Sequence, residues 1–175
     1  MEAIAPSGEF LEVLRAISRA GFGYEQTKEL AAAAGWKLVD DELDLGYVAF
    51  EWRLGTGDDN RRRLSVWVKK GGGRPWAFVP LFYFNDYDQV REPFDQAYQS
   101  LAEQLASLLG TPSSSGEHCY AHRNGWPYAC SRWVLPDVVL DLVQDEFDIQ
   151  FGMDVTLWVL PASQASEFPT RYPPR

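Results

Sequence analysis

The sequence predicts an α+β fold, a largely antiparallel sheet of about eight strands with two or three helices on one face. Two observations predict it. Segments with apolar residues at helical spacing are each followed by several short alternating or apolar runs, separated by turn residues. Aromatic residues are also many, with seven Trp, eight Tyr and ten Phe, so a modest sheet can bury a substantial core. The 175 residues suit one domain, or two small halves sharing a core.

Taken in order, Ser7 is placed to cap a first helix, with Glu9 and Glu12 in its first turn. Phe10, Leu11, Leu14 and Ile17 follow at helical spacing, and Gly21 and Gly23 stop it. A second helix is predicted from Glu25 to Ala34, ended by Gly35. Strands are then expected over Trp36–Asp40, Tyr47–Leu54, Leu64–Lys69 and Trp76–Phe84, with a polar hairpin loop at Gly55–Arg63 and a turn at Gly71–Gly73. The third helix is the clearest. Pro93 takes a first-turn position, Gly110 lies just past the end, and Phe94, Ala97, Tyr98, Leu101, Leu105, Leu108 and Leu109 share one stripe. Four more strands are predicted over Glu117–His122, Tyr128–Leu135, Val138–Asp145 and Met153–Leu160. Asn124-Gly125 and Pro136-Asp137 supply turns between them.

Both halves therefore read as helix, glycine, then four strands. Leu30–Gly35 corresponds to Leu105–Gly110, Tyr47–Trp52 to Tyr128–Trp133, and Trp76–Phe84 to Met153–Leu160. A single domain is expected over residues 1–161, with pseudo-repeat halves at 24–84 and 93–161. Residues 162–175, with Pro169, Pro173 and Pro174, are expected to form an extended tail.

The net charge of −9 repels phosphate backbones and anionic membranes, so neither nucleic acid nor membrane is an expected partner. The same charge attracts a protein with a basic surface. The sequence shows no secretory signal and no apolar run of membrane-spanning length, so a cytoplasmic location is expected, with Cys119 and Cys130 reduced.

Candidate chemistry is sparse. His118, Cys119, His122 and Cys130 carry zinc-ligand types, but on a strand His118 and His122 share a face that Cys119 does not. No Cys-x-x-Cys pair is present, and no third group orients a Cys–His nucleophile. No metal, no cofactor and no catalytic residue is assigned. Arg61-Arg62-Arg63 reads as a solubilising loop, and Gly71–Gly73 lacks the pattern of a phosphate loop.

The carboxylates Asp137, Asp141, Asp145, Glu146, Asp148 and Asp154 crowd the last hairpin. Alternation places Asp141, Val143 and Asp145 opposite Leu140, Leu142 and Gln144, so a solvated face is the ordinary reading and an acidic docking patch the functional one. The loop Asn85-Asp86-Tyr87-Asp88 mixes carboxylates with an aromatic, as protein-binding loops do. Asp86, Tyr87, Asp88, Asp145, Glu146, Phe147, Asp148 and Asp154 are the candidate partner-binding residues.

Leu108-Leu109-Gly110-Thr111-Pro112 and the run Gln150–Val159 carry a resemblance. Over about Phe94–Pro161 the chain resembles small acidic bacterial immunity proteins of toxin–immunity systems, at the level of the class. The resemblance implies a cytosolic inhibitor that occludes a cognate toxin's active site, and it carries over no catalytic residue. Two other readings stand beside it. One is a secretion-chaperone-like domain that holds a client protein on a sheet face or edge. The other is an enzyme whose site would include His118 and His122.

Overall fold

The structure is a computed structural model that describes residues 3–42, 47–53, 63–69, 76–84, 91–118, 127–145 and 153–166. Helix α1 (Gly8–Arg19) starts where Ser7, in extended backbone, accepts the Phe10 N–H on its hydroxyl at 3.2 Å. That bond satisfies one of the amides a helix start leaves open. The helix ends through Gly21 (φ 65°) and Phe22 (φ 56°), whose N–H returns to the Ile17 carbonyl. A phenylalanine rarely takes this left-handed conformation, and here its buried side chain is what compensates. Helix α2 (Tyr24–Ala33) stops at Gly35 (φ 75°), where the Trp36 N–H reaches the Ala31 carbonyl at 2.8 Å. Helix α3 (Glu92–Leu109) has Pro93 in its first turn and Gly110 as its cap. The Trp133 indole N–H donates to the Gly110 carbonyl at 2.8 Å and pins that helix end to the sheet.

Strands β1 (Lys37–Glu42), β2 (Tyr47–Arg53), β3 (Arg63–Lys69), β4 (Ala77–Phe84), β5 (Ser114–His118), β6 (Tyr128–Val134), β7 (Val138–Asp145) and β8 (Met153–Pro161) form one sheet in the order β1-β2-β3-β4-β8-β7-β6-β5. All neighbouring pairs are antiparallel. Two four-strand meanders therefore meet at the β4–β8 seam, one preceded by α2 and the other by α3. Pairing of β3 with β4 covers Trp67↔Phe78 and Val68↔Ala77 only, and Pro80 lies beyond it. A residue without an N–H is tolerated there because that side of β4 needs no ladder donor. Leu81 is the extra residue of a bulge against β8, and its carbonyl accepts the Ile4 N–H at 2.8 Å, so the N-terminal segment closes this gap.

Two elements differ from the sequence reading. Strand β5 begins at Ser114, three residues before the predicted start, and residues 119–122 lie outside the described residues. Ser114–Glu117 are exposed on a sheet edge, so pairing with β6 rather than apolar alternation defines the strand. Residues 162–164, expected to be extended, form a short 3₁₀ turn (Ala162–Gln164) with Gln164 buried.

All three helices pack on one face of the sheet. Phe10, Leu14, Ile17, Ala31, Phe94, Leu101 and Leu105 from the helices join Val48, Phe50, Ala77, Val79, Leu140, Leu142, Val155 and Leu157 in one continuous cluster. Helix α1 is tied at the edge of this face by Asp137, in the β6–β7 turn. Arg15 and Arg19 both donate to its carboxylate, and Ser18 donates to its carbonyl. Helix α3 is tied by Asp95, which accepts from Arg91 and from the buried Gln144 side chain; Gln144 in turn accepts the Ala129 N–H at 2.8 Å. The second face was expected to be solvated. Instead Asp141, Val143, Thr156 and Trp158 are buried on it.

Candidate functional site

The second face is built by the alternate residues of four adjacent strands. Strand register lays them out in rows across β6, β7, β8 and β4. At one end Trp76, Phe78, Trp158, Val139 and Leu160 form a separate apolar cluster. Their rings meet at 5.3–5.5 Å between centroids, with the Trp76 and Trp158 indoles edge-to-face. This geometry suits the quadrupoles of the rings and adds to their burial. Ala165, just past the 3₁₀ turn, packs against the same cluster.

The middle of the face holds an ion pair. Arg132 on β6 and Asp141 on β7 are Cα partners, and the guanidinium grips both carboxylate oxygens through Nε and Nη2 at 2.7 Å each. Both side chains are buried. The third nitrogen, Nη1, reaches the Ala165 carbonyl at 3.4 Å, which links the pair to the chain returning from β8. A buried charge demands such complete partnering, because desolvation would otherwise outweigh attraction.

The other end of the face is acidic. Asp145, the last residue of β7, is the Cα partner of Asp154, the second residue of β8. Opposed residues of an antiparallel pair hold their Cβ atoms about 5 Å apart, so the two carboxyl groups share one small space. Asp145 is half-buried, while Asp154 is only 8% exposed. Burial, and then the charge of Asp145, push the Asp154 carboxyl up to about 7. Asp154 Oδ1 and Thr156 Oγ1, two residues along the same face, are buried without a hydrogen-bond partner. Such atoms are rare in folded proteins and mark either strain or a site left open for something else.

Of the predicted partner-binding residues, the structure brings Asp145 and Asp154 together. Asp86, Tyr87, Asp88, Glu146, Phe147 and Asp148 lie outside the described residues. His118 ends β5 opposite Tyr128, Cys130 is buried on the second face, and Cys119 and His122 fall outside the described residues. Among the described residues no three His, Cys, Asp or Glu side chains gather as metal ligands. The sequence reading missed Thr156, the Arg132–Asp141 pair and the Trp76–Phe78–Trp158 cluster. A signal was there: β7 and β8 are apolar at both parities (Val138, Val139, Leu140; Leu157, Trp158, Val159, Leu160), the mark of strands covered on both faces.

Chemically, this end of the face can accept hydrogen bonds and positive charge. Among the described residues it offers no nucleophile paired with a base. In comparisons with known proteins, no family model, no curated relative and no solved structure matches the chain.

Proposed function

We propose that the protein is a binding module for another protein, an immunity-type inhibitor that occludes a cognate toxin, and that the acidic end of the second face belongs to the contact. The observation that carries this reading is the Asp145–Asp154 pair, in which a buried carboxylate oxygen has no partner within a chain of net charge −9. In sequence, Glu146 and Asp148 extend the same acidity beyond the end of β7. A basic surface approaching this end would gain long-range attraction on the way in and hydrogen bonds on arrival. The client-holding alternative has less support. Large apolar residues exposed among the described residues are Leu38, Val39, Leu108 and Val134, which lie on β1, α3 and β6 and make no common patch.

The test is a charge reversal. A partner captured by the wild-type protein is measured against the D145K/E146K/D148K variant. The variant is expected to associate about ten-fold more slowly at low salt, with the difference shrinking as the Debye length falls. Equal association rates at low salt would remove the acidic end from the contact.

A further inference from the structure

Resting on that reading, we propose that Asp154, with Thr156 beside it and Asp145 across from it, forms a seat for one cationic side chain of the partner, a guanidinium or ammonium group. The first ground is an internal pattern. Asp137 receives Arg15 and Arg19, Asp95 receives Arg91, and Asp141 receives Arg132. Asp154 is more buried than Asp95 or Asp137, yet its Oδ1 accepts nothing. The four arginines at those three carboxylates are already engaged, so the cation that would complete Asp154 is none of them.

The second ground is the register that sets these residues side by side. Thr156 Oγ1 is an unpaired acceptor or donor one step along β8, about 7 Å in Cα spacing from Asp154. A guanidinium can give two parallel N–H bonds to the Asp154 carboxylate and turn a further N–H toward the threonine hydroxyl. Half-buried Asp145, at the strand end, supplies the second negative charge. The flanks are apolar: Val143 is the Cα partner of Thr156 on β7 and Pro80 its partner on β4. Low polarity there strengthens each charged hydrogen bond once water has left.

A divalent metal fits less well. Calcium takes six to eight oxygen ligands and magnesium a full octahedron, whereas this end of the face brings together two carboxylates and one hydroxyl, and no third acidic ligand joins them among the described residues. An organic cation needs only the contacts present.

The experiment is carboxyl carbon NMR on the full chain near neutral pH. Guanidinium and methylammonium chlorides are titrated to about 50 mM, far below the range in which guanidinium unfolds proteins. Urea serves as the neutral isostere, sodium chloride as the ionic-strength control, and magnesium and calcium chlorides as the metal arms. D154N assigns the signal, with D145N as a second variant in case the first disturbs the fold. The Asp154 carboxyl is expected to move toward its ionised position with guanidinium and methylammonium, and to stay with urea and sodium. T156V should weaken guanidinium binding several-fold. Urea or sodium producing the same movement would overturn the seat, and so would a metal ion acting at lower concentration than guanidinium. The two readings fail separately. A specific guanidinium response combined with an unchanged association rate in the charge-reversal variant refutes the acidic contact, and with it the partner as the occupant, while the cation site itself stands. The absence of any guanidinium-specific response refutes the seat, whatever the partner assay returns.

Discussion

The sheet face carrying Leu140, Leu142 and Leu157 meets three helices, whereas the face carrying Asp141, Trp158 and Asp154 meets, among the described residues, only the turn at 162–165. Both faces of β7 and β8 are nonetheless buried. The helix-covered face does it with aliphatic and aromatic side chains, and keeps its charged pairs at the rim, where Asp137 and Asp95 hold the helices. The second face carries charge through its middle and at one end. Apolar burial on the first face needs no partner other than more apolar surface. Buried charge on the second face needs a specific partner for each group: Asp141 has Arg132, and Asp154 does not have its equivalent. The difference between the faces is therefore between one that the fold completes and one that it leaves incomplete at the Asp154 carboxyl.

The sharpest way to break this contrast is at Arg132. Truncation in R132A leaves the Asp141 carboxylate buried without its two guanidinium hydrogen bonds, and is expected to destabilise the fold by about 3–5 kcal/mol. The double variant R132M/D141L removes both charges and should match or exceed the wild type. Urea unfolding of the two variants decides it. If the second face behaved as a solvated one, both would fall within about 0.5 kcal/mol of the wild type.

The next effect comes from Asp154 and has a pH signature. Its carboxyl lies near 7 in the folded protein and at 3.8 as an ordinary side chain, so the folded chain holds the proton more tightly. Stability is then fully present below the ordinary value and falls as pH rises, through the folded value. By linkage the whole fall is up to about 4 kcal/mol. D154N removes the titrating group, so it should gain about 2–4 kcal/mol over the wild type at mildly alkaline pH and nothing in acid. Unfolding free energies across that range check it. A wild type and D154N that run parallel with pH would show that Asp154 already has a partner in solution.

Most of the fold was legible in the sequence. Ser7, Pro93, Gly35 and Gly110 marked helix ends because each answers a backbone need at its position. Val138–Asp145 was read to the residue, because Pro136-Asp137 supplies its turn and Val138, Val139, Leu140, Leu142 and Val143 crowd the segment with strand-forming apolar residues. The strand order is mirrored about the β4–β8 seam, which sets two four-strand meanders side by side. Strand β5 was misplaced because an exposed edge strand of Ser, Gly and Glu carries no alternation. The site was only half legible. Alternation put Asp141 and Asp145 on the right face, but a carboxylate in a sequence reads as solvated, since aspartate is seldom buried without a partner. That partner, Arg132, lies nine residues away across a hairpin and shows itself only once the register is known. Asp154 and Thr156 become exceptional only by lacking what Asp141 has, and an absence of partners is a property of three-dimensional neighbours.

The smallest effect belongs to the rim of the helix-covered face and runs in the opposite direction with pH. Burial alone would raise the Asp137 carboxyl, but the hydrogen bond and charge of Arg15, joined by Arg19, outweigh it and hold the group below its ordinary range. A lowered value means stability that is present at neutral pH and is lost as acid protonates the folded carboxylate. Arg19 is half exposed, so solvent and salt screen part of the attraction. D137N should therefore cost about 1 kcal/mol at neutral pH and low salt, less at high salt, and nothing once the pH is well below the carboxylate range. Thermal unfolding of D137N and D154N across the same pH series puts the two faces side by side. One variant flattens the acid limb of the stability curve and the other flattens the fall toward neutrality. A single variant that flattened both would mean the two faces share one electrostatic environment, and the distinction between a completed face and an incomplete one would collapse.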